Sequence, residues 1–187
     1  LMLVSYAEVG ALRGLWIGPY LTEVFRAEPR LIGQATLAMG IMMVIGPMAY
    51  SVMDRTFGTL KWVVFTGSCG VLLCTIALIV LDEASVIWVI VLMCGIGFFG
   101  STYPAIMSHG RNLLPRHLVG RGVTLLNLCS IGGVGIAQFA TGRIYAAYTP
   151  GDWEALPFMM IFIFFAAALA AGLLIYLFST DSKPDTA

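Results

Sequence analysis

Charge is what this sequence has least of. Only 11% of its 187 residues are Asp, Glu, Lys or Arg, against about a quarter in soluble domains. The charge present also cancels, ten basic side chains against ten acidic ones. A neutral chain projects no long-range field that would steer it to nucleic acid, so nucleic acid is excluded as a partner. Cysteine is scarce as well. Cys69, Cys74, Cys94 and Cys129 all fall inside apolar runs and form no CxxC pair. Their spacing suits neither zinc nor a disulfide framework, so they read as small packing residues. A polar, low-complexity composition is missing, which excludes disorder. No basic leader with a small-residue cleavage site precedes the first apolar stretch, so no signal peptide is expected. Nothing resembles a Walker loop, a nucleophile elbow or an HExxH pair. No enzyme activity, cofactor or metal is therefore expected.

Apolar residues take the place of charge, at 59% of the chain. A soluble fold of this size could not hide that much apolar surface in one core. Uncharged runs cover 31–53, 62–81, 84–109, 122–142 and 155–180, counting His as neutral. Each can cross roughly 30 Å of hydrocarbon as a helix rising about 1.5 Å per residue. A sixth segment, 1–25, is equally apolar in tone but holds Glu8, Arg13 and Glu23. Transmembrane strands would alternate with period two, and these runs do not. The expected fold is an all-α membrane protein of six transmembrane helices, at about 1–25, 31–53, 62–81, 84–108, 122–145 and 155–179. They would form one domain over 1–180, followed by a short tail over 181–187.

Basic residues divide unevenly between the two ends of these spans. Arg55, Lys61, Arg111, Arg116, Arg121 and Lys183 lie on one side; Arg26, Arg30 and Arg143 lie on the other with Glu23, Glu28, Asp82, Glu83, Asp152 and Glu154. The excess of Lys and Arg marks the cytoplasmic side, which puts both termini inside, and the expected location is the bacterial inner (plasma) membrane.

The spans differ in character. The third and sixth are nearly pure apolar and can face lipid. The first, second, fourth and fifth hold polar groups that lipid penalises, and so face a cavity. In the first span Tyr6, Arg13, Trp16 and Tyr20 fall on one face by the helical period; the fourth has Tyr103 beside Pro104, and the fifth has Asn127 and Gln138 nearly three turns apart. Pro19, Pro47 and Pro104 each remove a helix hydrogen bond. Glycines cluster at Gly95, Gly97 and Gly100 and again at Gly132, Gly133 and Gly135, where helix backbones can pack closely or slide past neighbours.

At the end of the second span the chain reads Asp54-Arg55-Thr-Phe-Gly58-Thr-Leu-Lys61. This resembles the cytoplasmic loop signature of the major facilitator superfamily, Gly-x-x-x-Asp-Arg-x-Gly-Arg-Lys. Asp54, Arg55, Gly58 and Lys61 match, with one extra residue before Gly58, Tyr50 at the first Gly, and Thr59 or Leu60 in place of a cation. Leu12-Arg-Gly-Leu-Trp-Ile-Gly-Pro-Tyr-Leu21 is similar to the start of a facilitator half, and Pro115 to Gly122 is similar to the loop from helix ten to helix eleven. The degraded signature looks like the C-terminal copy. The chain also opens on Leu1 almost directly in an apolar helix, which looks like the continuation of a longer protein.

The resemblance implies one half of a facilitator-type bundle: a secondary active transporter that carries a small solute by alternating access. Its partners are the small-molecule substrate, the lipid bilayer, and a missing N-terminal six-helix half or a second copy of this chain. Arg13, Trp16, Tyr20, Tyr103, Asn127 and Gln138 are expected to line the cavity, and Asp54, Arg55, Gly58 and Lys61 to form a gating loop. Alternatives stay open for several of these. Arg13 serves either as an anion ligand or in an internal ion pair, unless it lies shallower than counted. Asp54 and Arg55 are otherwise an ordinary helix-end pair. Glu8 is a candidate proton-coupling carboxylate, and His109 and His117 read as solvated loop residues. The rival to transport is a non-transporting six-helix scaffold or sensor module.

Overall fold

A computed structural model describes residues 1–81, 85–149 and 153–181. Asp82, Glu83, Asp152 and Lys183, counted above in the charge asymmetry, lie outside the described residues, as do the expected span start at Ala84 and most of the tail. The described chain is all-helical, without a strand. Eight α-helices form six rods. Rod 1 is α1 (Met2–Ala11), one π turn (Leu12–Trp16) and α2 (Ile17–Glu23). Rods 2 and 3 are α3 (Pro29–Phe57) and α4 (Leu60–Val80). Rod 4 is α5 (Val86–Phe99) followed by α6 (Tyr103–Asn112). Rods 5 and 6 are α7 (Val119–Tyr148) and α8 (Leu156–Leu177). Rods 2 to 6 are each long and apolar enough to cross a membrane. This is an all-α membrane protein.

Local chemistry sets the rod ends. Pro29 opens α3, where its missing N–H costs nothing. Gly58 closes it in the left-handed conformation at φ 63°, its N–H donating to Asp54 O at 2.9 Å. One residue later the Thr59 hydroxyl accepts from Trp62 N–H at 3.3 Å and caps α4. Rods 2 and 3 therefore reverse direction over two residues.

Two rods are interrupted: Pro104 marked the break in rod 4 in the sequence, while nothing in the helical period placed the π turn of rod 1. Rod 4 was expected to be one helix over 84–108; instead α5 stops at Phe99 and α6 starts at Tyr103. Pro104 has no N–H, so the ladder fails there. The Phe99 carbonyl freed at the break accepts the Tyr50 hydroxyl of α3 at 3.0 Å. In rod 1 the π turn takes more residues per turn than an α turn, and so rotates everything after it relative to everything before. Pro47 behaves differently from expectation, since α3 runs through it unbroken.

The rods pack with internal symmetry. The most extensive seams are α1 with α7, α3 with α5, and α4 with α8. Exchanging rods 1, 2 and 3 for rods 4, 5 and 6 maps the whole set of substantial helix contacts onto itself. Rod pair 1–5 becomes 4–2, pair 3–6 becomes 6–3, pair 1–6 becomes 4–3, and pair 5–6 becomes 2–3. Three rods per repeat means that the second repeat runs in the opposite sense to the first, an inverted-topology arrangement. The two interrupted rods, 1 and 4, occupy equivalent positions in it.

Side-chain bonds tie both ends. At one end Tyr145 donates to the Glu23 carboxylate at 2.7 and 2.8 Å, and Arg26 pairs with Glu154. At the other end Lys61 Nζ donates to Leu177 O at 2.8 Å and Ser179 O at 2.6 Å, while Asp181 accepts from Thr59 and from the Lys61 N–H. His109 was read as solvated. It is instead buried in α6, its ring bonded to the Tyr176 hydroxyl at 2.6 Å and Thr180 O at 2.9 Å. His117 is exposed, as read.

Candidate functional site

A cleft lies where rods 1, 2 and 5 meet. It holds about 460 Å³ and is lined by Tyr6, Arg13 and Gly14 of rod 1, Met43 of α3, and Gly135 and Gln138 of α7, among others. That volume suits a small solute. Gly10 and Gly14, four residues apart on one helix face, keep the rod 1 wall low. At Gly14 a methyl would sit 3.6 Å from Gln138 Nε2, so the amide faces the bare backbone across the width of one methyl group.

Arg13 is the only charged residue among those that line the cleft. It sits in the π turn, halfway along rod 1, and makes no ion pair among the described residues. Its guanidinium reaches over Gly40 of α3, where a methyl would meet Nη2 at 3.2 Å. A cation at this depth costs about 2.5–3.5 kcal/mol if lipid surrounds it. An open polar cleft that water or an anion can enter removes that cost, and five donors in a planar fork match a carboxylate or phosphate.

Two more of the six cavity residues join the cleft at second hand. The Tyr103 hydroxyl donates to Asn127 Oδ1 at 2.6 Å, and the Tyr103 ring lies 5.5 Å from that of Tyr6. Tyr6 lines the cleft, so a polar track runs from Gln138 and Arg13 through Tyr6 to Tyr103 at the start of α6. Trp16 and Tyr20 lie elsewhere. The Trp16 indole donates to Thr141 at 2.9 Å and packs on Tyr145 and Phe158, and Tyr20 is buried among Phe25, Phe158 and Phe162. Their shared face with Arg13 holds for a continuous α-helix; the π turn between them turns both rings into the seam with α7 and α8.

The four loop residues also separate by environment. Arg55 is exposed, Gly58 makes the turn, and Lys61 is bonded to the end of α8. Asp54 is half-buried, and its Oδ1 is sealed from solvent without a hydrogen-bond partner. It borders a smaller cleft of about 160 Å³ between α3 and α6, with Pro47, Tyr50, Pro104 and Ser108.

Glu8 was named in the sequence only as a secondary candidate. It is 1% exposed, and one of its carboxyl oxygens is bonded to the Thr75 hydroxyl of α4. The signal for Thr75 was slight: one of three hydroxyls, with Thr66 and Ser68, in an otherwise apolar run. Among the described residues no cluster of His, Cys, Asp and Glu could hold a metal. No family model matches the chain, and neither does any curated protein.

Proposed function

We propose that this chain is one half of a secondary active transporter that moves a small anionic solute by alternating access, with Arg13 as its charge ligand. The observation that carries the reading is the placement of the cleft. Arg13 in the interrupted rod 1 and Tyr103 at the interruption of rod 4 are joined by a polar track, and the two rods are equivalent in an inverted repeat. Interrupted helices at matching positions of two repeats are where such transporters hold substrate. Gln138 and Asn127 supply neutral hydrogen bonds to orient the solute. The cleft opens on the side of α3 and α7, which leaves it half-enclosed, and a second six-helix unit closes it from across. That unit is an N-terminal half of the major facilitator type or a second copy of this chain.

In this reading Asp54 is a gate. Its unpartnered oxygen waits for a cation or a helix N-terminus from the opposing unit, and Lys61 fixes the loop that presents it. Arg55, Arg111 and Arg121 share that end of the bundle with Lys61, which supports a cytoplasmic loop and cytoplasmic termini in a bacterial inner membrane. No catalytic step is assigned to the protein.

Uptake into proteoliposomes by the full-length protein tests the proposal, with a panel of labelled small carboxylates and phosphate esters as probes. Arg13→Ala should raise the half-saturating concentration of the accepted anion by tenfold or more, the size of one lost charge-assisted contact. Arg13→Lys should recover only part of it. Unchanged affinity in Arg13→Ala overturns the ligand assignment, and no uptake of any anion overturns the substrate class.

A further inference from the structure

The Glu8 carboxyl is buried between α1 and α4 with a hydroxyl as its one partner, and that isolation decides its state. Thr75 Oγ1 lies within hydrogen-bond reach of two oxygens, the Glu8 carboxyl and Val71 O at 3.0 Å. Val71 O is a backbone carbonyl and can only accept. The Thr75 hydroxyl has a single proton, and an ionised carboxylate is also acceptor-only. Val71 O is already satisfied by the helical N–H of Thr75, so an ionised Glu8 could accept the hydroxyl proton, but it would hold that one hydrogen bond against a whole buried charge. A protonated Glu8 donates to Thr75 Oγ1 and leaves the hydroxyl its back-bond to Val71 O. The other oxygen, Oε2, has no partner. It is then the carbonyl of a neutral acid, far cheaper to leave bare than half of a buried anion.

The surroundings offer no compensating charge. Neither Arg13 nor any other cation pairs with Glu8 among the described residues. On α4 the titratable neighbour is the thiol of Cys74, next in sequence to Thr75. Rod 4 contributes His109, which is engaged with Tyr176 and Thr180, and Arg111 at its far end. On α7, Arg121 lies near one end and Arg143 near the other, and the described part of α8 holds no charged residue.

The location also matters. Val9, next to Glu8, and Val71, beneath Thr75, both press on Gly100 at the break of rod 4: a methyl there would lie 2.2 Å from one and 3.4 Å from the other. The two helices that carry the pair therefore meet the interruption between α5 and α6 through Val9 and Val71.

We infer that Glu8 and Thr75 form a proton-binding site joining rod 1 to rod 3, loaded in this conformation and emptied when the two rods part beside the break in rod 4. On emptying, the O–H bond of Glu8 breaks, the proton passes to water, and the remaining carboxylate can no longer donate to Thr75. A buried anion with one hydroxyl donor and no paired cation among the described residues then remains in the seam, which favours the separated, hydrated arrangement until a proton returns. The proton site stands on the burial of Glu8, its bare Oε2 and the lack of a paired cation among the described residues; its service as a coupling site rests on the transport reading above.

Infrared difference spectroscopy of the full-length protein in lipid vesicles at neutral pH tests it. Wild type minus Glu8→Gln should show the loss of one carbonyl band of a protonated carboxylic acid. Thr75→Val should keep that band but shift it to the position of an acid without a hydroxyl partner. Carboxylate bands in place of the acid band would overturn the proposal, as would a band unmoved by Thr75→Val. If Glu8→Gln fails to fold, the Thr75→Val shift decides. An acid band in a protein that transports no solute keeps the proton site and removes only the transport reading.

Discussion

Rods 3 and 6 and rods 2 and 5 are two pairs related by the same internal exchange, yet they live differently. The most apolar stretches of α4 and α8 are each 39% buried within the chain, those of α3 and α7 only 17%. Rods 3 and 6 pack on each other; rods 2 and 5 have no substantial contact with each other. Leu37, Val44 and Met48 on α3, and Leu128, Ile131 and Phe139 on α7, are left exposed. Apolar exposure by itself is satisfied by lipid. What separates the two regions is that the only charge lining the cleft of rods 1, 2 and 5 lies between the uncovered pair, over Gly40 of α3 and near Gln138 of α7. Lipid cannot cover an arginine at mid-rod cheaply, which supports the proposal that a second unit faces the α3 and α7 side.

Core truncation should break this comparison most visibly. Ile161 of α8 is fully buried and Phe139 of α7 is 74% exposed. Ile161→Ala should cost about 2–5 kcal/mol through lost packing and a residual cavity. Phe139→Ala in this chain should stay within about 0.5 kcal/mol. Equilibrium unfolding in detergent reads both. A large loss at Phe139 would mean that α7 is covered by part of this chain, contrary to its exposure.

A subtler comparison lies within α7, which has a sealed face and an open one. At Gly133 a methyl would lie 2.1 Å from the Leu3 carbonyl oxygen, in the seam with α1; at Gly132 and Gly135 nothing comes within 4 Å. Gly133→Ala should therefore cost about 1–3 kcal/mol, because backbone must move. Gly132→Ala and Gly135→Ala should be neutral, or stabilising by up to about 1 kcal/mol from helix propensity. The same unfolding measurement tests this; equal effects at all three positions would contradict a one-sided seam.

These three glycines show where sequence reading stops. Their cluster was plain, but which one faces a neighbour depends on the register of α1 against α7, which no single-helix period contains. Rods 2 to 6 were legible because the absence of charge over twenty residues is a local property that the membrane imposes directly; rod 1 was read from its apolar tone around three charges. Arg13 and Gln138 line one cleft, since polar groups in apolar spans need a polar surrounding. Trp16 and Tyr20 were placed on the Arg13 face by a constant 3.6 period, and one π turn carried them into the core. His109 was read as solvent-facing from its arginine neighbours, whereas its environment is set by Tyr176 and Thr180, some seventy residues away in sequence. Glu8 needed its partner to be interpretable, and Thr75 lies on another rod.

The smallest effect is expected at the end where rod 1 leaves the bundle. Arg26 and Glu154 pair there with side chains 73% and 58% exposed. Ordering two long side chains in water offsets most of their attraction, so Glu154→Gln should cost less than about 1 kcal/mol. A double-mutant cycle with Arg26→Gln should give a coupling that fades as salt rises, since exposed pairs are screened over about 10 Å at 0.1 M. The neighbouring Tyr145 and Glu23 bonds offer an internal contrast, because they join α7 to rod 1 and are half-buried. If the Arg26–Glu154 coupling instead persists at high salt, that end of the bundle is drier than its exposure in this chain indicates. The surface that dries it would then have to come from outside this chain, such as the second unit proposed above to cover α3 and α7.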